Sequence, residues 1–176
     1  TYNSDAFGFN SMGDFTIEGW FYRNTATSGA PHLFSTAQGS TYQAQIVVIA
    51  HSGYPGLCLN AEFNGNASVR FRSKEVIPIM QWHHFAFCKS GGTGYLYVDG
   101  IMQESKSLTV SATSNTVYIG RPAHDGGAYR WDGYLQDFRI YNGVAKYTEN
   151  FIPATTYPSI IPDSPSGVVQ SSALAK

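Results

Sequence analysis

The stretch that most constrains the fold of this chain is Gln81-Trp82-His83-His84-Phe85-Ala86-Phe87-Cys88-Lys89. In an extended chain Trp82, His84, Ala86 and Cys88 fall on one side, and His83, Phe85, Phe87 and Lys89 on the other. A period of two sustained over that length predicts a β-strand. Large apolar groups on both sides predict a central strand covered on both faces. Ser90-Gly91-Gly92-Thr93-Gly94 then interrupts the alternation with residues that tolerate positive φ. A second alternating run, Tyr95-Leu96-Tyr97-Val98, ends in Asp99-Gly100, a two-residue hairpin signal, and Ile101-Met102-Gln103-Glu104 starts the return strand. Three consecutive antiparallel strands form a β-meander, around which the rest of the chain is expected to wrap.

The flanking segments repeat the pattern. In Asp14 to Tyr22, Phe15, Ile17, Gly19 and Phe21 share one face, and Thr16, Glu18, Trp20 and Tyr22 the other. Glycine in the middle of a strand predicts a bend or a close backbone approach. Further short strands are predicted over His32 to Thr36, Tyr42 to Ala50, Leu57 to Phe63, Val69 to Phe71, Thr116 to Gly120 and Gly133 to Tyr141, with a short edge strand in the first thirteen residues. Pro78 makes Val76 to Met80 a connector or an edge, because it has no N–H to donate to a ladder. No stretch of a dozen residues carries helical periodicity without Gly or Pro, although Asn142 to Tyr147 is expected to form one helical turn. The reading is an all-β, two-sheet antiparallel β-sandwich with jelly-roll architecture over residues 1–157. Residues 158–176, with Pro158, Pro162 and Pro165 among many serines, are expected to be an extended arm or linker.

Composition narrows the classes of partner. The net charge is −1, which argues against gripping nucleic acid or an anionic membrane by bulk charge. Charged residues make up 13% of the chain, against about a quarter in typical domains. Gly, Ser, Thr, Asn and Tyr replace them, which suits polar but uncharged contacts. No apolar run approaches the roughly 18 residues of a membrane-spanning helix. No signal-peptide pattern is present, and the missing initiator Met suggests a processed chain or a piece of a longer polypeptide. Cys58 and Cys88 both lie in apolar alternating runs and are expected to face a core as buried free thiols, with a disulfide, which needs Cβ atoms about 4 Å apart, as the alternative; their spacing makes no zinc site.

Several motifs in order carry a family resemblance. They are Asp14-Phe15-Thr16-Ile17-Glu18-Gly19-Trp20-Phe21, Trp82-His83-His84-Phe85-Ala86, Leu96-Tyr97-Val98-Asp99-Gly100, Val117-Tyr118-Ile119-Gly120-Arg121, and Gly133 through Tyr141. Together they resemble the laminin-G-like, concanavalin-A-like jelly-roll domains over about residues 5–157. Such domains have a fuller leading strand before the position of Phe9, so here an edge strand is either missing or supplied by a neighbouring segment. Asn142 to Pro153 is similar to the ending of such domains in tailed-phage structural proteins. The resemblance implies a virion decoration, tail or fibre-associated module contacting other virion proteins, as a homo-oligomer or within a larger assembly. The alternative is a lectin-like, extracellular or host-surface glycan-binding module.

The same fold hosts glycoside hydrolases, whose retaining members need two carboxylates about 5 Å apart. Glu18 has no acidic neighbour at strand spacing, Asp132 and Asp137 are five residues apart, and no nucleophile-elbow motif is present, so no enzyme is expected. His83 and His84 point to opposite faces and cannot chelate one ion together. The best recognition candidate is the loop His124-Asp125-Gly126-Gly127-Ala128-Tyr129-Arg130-Trp131-Asp132. Tyr129 and Trp131 offer faces for sugar C–H groups, while His124, Asp125, Arg130 and Asp132 offer partners for hydroxyls; the same residue types suit a protein interface. The competing reading of Trp131 is a core anchor opening the last strand. No cofactor is expected beyond calcium, for which the resemblance implies a rim site with Asp125 and Asp132 as candidate oxygen ligands. The competing reading is that both Asp-Gly pairs make turns. Asn66-Ala67-Ser68 fits a glycosylation sequon, relevant only in a secretory pathway.

Overall fold

The computed structural model describes residues 2–3, 13–26, 29–38, 41–50, 56–64, 69–110, 116–123 and 129–153. Among them run eleven strands: β1 (Tyr2–Asn3), β2 (Phe15–Arg23), β3 (His32–Gln38), β4 (Thr41–Ala50), β5 (Leu57–Phe63), β6 (Val69–Arg72), β7 (Trp82–Ser90), β8 (Thr93–Val98), β9 (Ile101–Ser107), β10 (Thr116–Ile119) and β11 (Gly133–Asn142). They form a six-stranded sheet in the order β1-β10-β3-β4-β5-β6 and a five-stranded sheet in the order β11-β2-β7-β8-β9, all neighbours antiparallel. This is the expected sandwich. β7 lies at the centre of its sheet, and β7-β8-β9 is the expected meander. Asp99 and Gly100 both have positive φ (50° and 78°), which the tight hairpin twist requires. No helix among the described residues is long and apolar enough to cross a membrane.

The alternation in each strand decides what meets between the sheets. Phe15, Ile17 and Phe21 of β2, Phe85 and Phe87 of β7, and Leu96 and Val98 of β8 face Phe34, Ile46, Val48, Leu59, Phe63 and Phe71 of the other sheet. The Phe87 ring lies 4.5 Å from that of Phe63 and 4.9 Å from that of Phe71. Truncating such a ring to alanine costs about 3–5 kcal/mol. Gly19 explains itself here. Opposite it β11 skips register between Gln136 and Arg139, and Asp137 takes a φ of 52°. This bulge swings Phe138 over Gly19, where a Cβ would lie 3.2 Å from the Phe138 Cα. The Phe138 ring then stacks on Phe34 of the opposite sheet, 6.3 Å away and 18° from parallel.

The expected helical turn at 142–147 is not formed. Gly143 has a φ of +81°, and its N–H donates to the Asp14 carbonyl. Thr16 Oγ1 donates to the Val144 carbonyl and accepts the Lys146 N–H. These backbone groups are satisfied by β2, so no i→i+4 ladder is needed. Residues 143–153 instead run as a strap across the outer face of the five-stranded sheet. Beneath it Ala86, Cys88 and Tyr97 form a second apolar cluster with Tyr95, Met102, Tyr147 and Phe151. The strap's far end is tied by Met102 N–H to Asn150 Oδ1 and by Phe151 N–H to the Gly100 carbonyl.

Cys58 and Cys88 are both free and buried, as expected, but they lie on the outer faces of opposite sheets rather than in the shared core. The short edge strand predicted near the start includes β1, paired with β10 at the edge of the six-stranded sheet. The turn expected at 52–56 lies mostly, and the tip expected at 64–66 partly, outside the described residues; the sequon and the arm at 158–176 lie wholly outside them.

Candidate functional site

The structure separates the residues of the recognition loop. His124 and Asp125 lie outside the described residues. Tyr129 is exposed, its ring 6.4 Å from that of His32 on β3, and Arg130 beside it is exposed. Trp131 turns inward and meets Phe21 edge-on at 5.7 Å, as the core-anchor reading had it. Asp132 faces the end of β2. Its Oδ1 accepts from Asn24 Nδ2 (3.1 Å) and its Oδ2 from Thr25 Oγ1 (2.7 Å). These two bonds hold its pKa below the usual carboxylate value. Among the described residues no group of three or more His, Cys, Asp or Glu is placed to hold a metal ion.

Tyr129 sits beside a polar row that the sequence did not single out. On the outer face of the six-stranded sheet, Tyr118, Ser35, Gln45, Glu62 and Arg70 stand directly opposite one another on β10, β3, β4, β5 and β6. His32 Nε2 donates to Gln45 Oε1 at 2.9 Å, Gln45 Nε2 donates to Glu62 Oε2, and Arg70 Nε pairs with Glu62 Oε1. Burial holds the His32 pKa below its ordinary value. Arg70 keeps 33% of its side chain exposed, so water reaches the row over β6. Asn60 and Arg72 form the next row. Arg121 lies over the Tyr118 ring at 5.4 Å, and its carbonyl accepts the Ser35 hydroxyl. Among the described residues, Arg70, Arg72, Arg121 and Arg130 and the carboxylate of Glu62 belong to this face and its rim, and Glu104 accepts from the Arg72 N–H at the β6 edge. The available signal was the presence of polar residues at outward positions of otherwise apolar strands, Gln45 in β4 and Asn60 and Glu62 in β5. What hid the site was that its members come from five separate segments.

Glu18, only 3% exposed, is held under the strap. Its Oε1 lies 2.7 Å from Lys146 Nζ, and its Oε2 accepts from the Tyr147 hydroxyl at 2.8 Å. Burial alone would raise its pKa, but the bonds from Lys146 and Tyr147 outweigh that and lower it. His84 Nε2 is 3.7 Å from Glu18 Oε2; burial pushes the imidazole down to about 4, so it is neutral at neutral pH. His83, on the inward side, meets Asp99 Oδ2 at 2.8 Å and packs against Phe21. The two histidines do point to opposite faces, and neither side is a shared ligand pair.

An antiparallel sandwich with these motifs defines a lectin-type fold. The chain belongs to the concanavalin A-like lectin/glucanases superfamily, whose model matches residues 3–149. A comparison with curated proteins finds no match. Among solved structures, the chain is similar to a heptameric SAP-like pentraxin from Limulus polyphemus (TM-score 0.57, 19% identity, covering 73% of this chain and 64% of that one). It is similar to domain 4 of AbnA, a GH43 extracellular arabinanase from Geobacillus stearothermophilus, in complex with arabinotriose (0.55, 19%, 77% and 63%). It is also similar to the CBM40 of Ruminococcus gnavus IT-sialidase bound to α2,3-sialyllactose (0.57, 11%, 76% and 78%). The chain thus spans less than two thirds of the first two, and identities this low establish the fold alone.

Proposed function

We propose that this chain is a non-catalytic carbohydrate-binding module whose ligand lies on the outer face of the six-stranded sheet, with Tyr129 and Arg130 at its rim. The observation that carries this reading is the registered row Gln45–Glu62–Arg70, an amide, a carboxylate and a guanidinium on consecutive strands. Planar groups of this kind bond vicinal hydroxyls, and their mutual bonds keep them in place before a ligand arrives. The superfamily and the glycan complexes of two structural neighbours support the reading. The excess of arginine over carboxylate at this face favours glycans bearing a carboxylate. Glu18 is fastened under the strap rather than free to act as a base, which supports a binding role over catalysis. A glycan array followed by calorimetry tests the proposal. Arg70→Ala is expected to weaken binding by about tenfold or more. No binding on a broad array, or binding indifferent to Arg70→Ala and Tyr129→Ala, counts against it.

A second reading sets the module in a tailed-phage virion, where it contacts other virion proteins. Its support is the phage-like ending 142–153 and the low charge density. Mass spectrometry of purified particles tests it: many particle-bound copies mean a decoration role, and a few copies with peptides upstream of Thr1 mean a tail or fibre module. Absence from particles sinks it.

A further inference from the structure

The outer face of the five-stranded sheet is only half covered. The strap lies over the end that carries Thr16, Glu18 and Cys88. At the other end two rows reach the surface except at His84, which is buried with the ring of Phe151 of the strap 5.8 Å away. In the first, Tyr134, Tyr22 and Trp82 stand directly opposite one another on β11, β2 and β7; in the second, Gln136, Trp20 and His84 do. The Tyr22 ring is 5.7 Å from both Trp82 and Tyr134, and those two outer rings are 38° from parallel. Trp20 packs edge-on against His84 at 5.2 Å. Tyr134 is 62% exposed and Met80, whose sulfur accepts from the Tyr22 hydroxyl at 3.8 Å, is 61% exposed.

Two properties of this surface choose its occupant. First, neither row holds a formal charge: the polar groups at the surface are an amide, two phenols and two indole N–H groups, and the His84 imidazole beneath is buried and neutral. Arg139 begins the next row, where it faces Glu18. Second, the open surface is small. Three strands spaced about 4.8 Å apart and two rows about 7 Å apart span roughly 200 Å², against about 800 Å² per partner in a stable protein interface. Rings that stack on apolar C–H faces, flanked by uncharged hydrogen-bonding groups, match a sugar ring with equatorial hydroxyls. Their positions are set by strand register, so little order is lost on binding.

We propose that the Tyr134–Tyr22–Trp82 row, with Trp20 and Gln136 behind it, is a binding site for a neutral pyranose chain. It lies on the sheet opposite the polar row and does not rest on the function proposed for that face. With both faces occupied, one domain bridges two glycan chains.

The experiment is titration of the full chain with soluble cellohexaose, xylohexaose, mannohexaose and chitohexaose, read by tryptophan fluorescence. Trp20 and Trp82 lie in the surface, whereas Trp131 packs on the core, so occupancy changes the emission. Saturable quenching by at least one sugar is expected. Tyr134→Ala removes an exposed ring and leaves the core intact; it is expected to raise Kd by about tenfold or more, as is Trp82→Ala if that variant folds. Arg70→Ala disturbs the polar row on the other face, so quenching that Tyr134→Ala removes and Arg70→Ala leaves belongs to the aromatic row. Quenching by none of the sugars overturns the proposal, as does quenching that Arg70→Ala abolishes and Tyr134→Ala spares, which assigns the ligand to the polar row. A concentration-dependent dimer in sedimentation that Tyr134→Ala dissolves also overturns it, and gives the face to a second copy of the chain.

Discussion

Lys146 Nζ lies 2.7 Å from Glu18 Oε1, across 128 residues of sequence, and this pair fastens the strap to the sheet. Glu18 is nearly inaccessible, while Lys146 keeps a quarter of its side chain in water. Removing the lysine leaves a buried carboxylate with the Tyr147 hydroxyl and a neutral imidazole beside it. Lys146→Ala is expected to destabilise the fold by about 2 kcal/mol, below the range for fully buried pairs because of that exposure. The double variant Glu18→Gln, Lys146→Met is expected to recover part of the loss. Urea midpoints at neutral pH check both, and equal stability of Lys146→Ala and the parent would show that the pair contributes nothing.

His84 makes stability depend on pH in a defined window. Folded, it titrates at about 4 because burial disfavours the imidazolium; unfolded, it titrates near 6.5. Between those values the unfolded chain binds more protons, so stability falls as pH drops from about 6.5 to about 4, by up to about 3 kcal/mol. Glu18 and Asp99 act in the same direction at lower pH. Both have folded pKa values held below the ordinary carboxylate range, so their contribution is lost as pH falls through the folded values. In His84→Gln the urea midpoint is expected to be flatter between pH 6.5 and 5. An unchanged slope would assign the acid sensitivity to other groups.

Cys88 reports on the strap. Its sulfur sits 3.3 Å from Thr16 Oγ1 in the cluster beneath Tyr147 and Phe151, and burial raises its pKa. A folded domain is expected to react with a disulfide reagent far more slowly than the unfolded chain. Lys146→Ala is expected to speed labelling of Cys88 about tenfold or more while leaving Cys58, on the other sheet, unaffected. Parallel acceleration at both thiols would mean global unfolding rather than release of the strap.

Gly100 couples the hairpin to the strap's end. Its φ is +78°, and a Cβ there would lie 1.9 Å from the Phe151 carbonyl oxygen. Gly100→Ala is expected to cost about 2 kcal/mol or more, because the strained turn and the clash act together. Hydrogen exchange is expected to rise at Phe151 and Met102 before it rises in β7. Uniform exchange across the sheet would show that the clash is absorbed elsewhere.

The strands were legible because alternation is local. Phe15 to Tyr22 and Trp82 to Lys89 display their faces without reference to any other segment, and Asp99-Gly100 names its turn by what φ values it tolerates. Gly19 was legible as a close approach, but not the bulge at Asp137 and Phe138 that fills the space. The segment 142–147 misled because its backbone bonds are made to Thr16 and Asp14, partners that no local propensity can register. The recognition loop is divided for a related reason. Trp131 and Asp132 are spoken for by Phe21, Asn24 and Thr25, and among the described residues of the loop Tyr129 and Arg130 are left at the rim of the polar face.

What the sequence by itself determined is the alphabet of the sandwich: which residues extend, which turn, and which side of each strand is apolar. Those follow from steric limits and hydrophobic period, which act over a few residues. Only the tertiary structure decided that Tyr134 stands beside Tyr22 and Trp82, that Gln45, Glu62 and Arg70 share a row, and that Lys146 crosses to Glu18. Such neighbours are set by strand register and by the burial of one segment on another, which depend on the whole core at once.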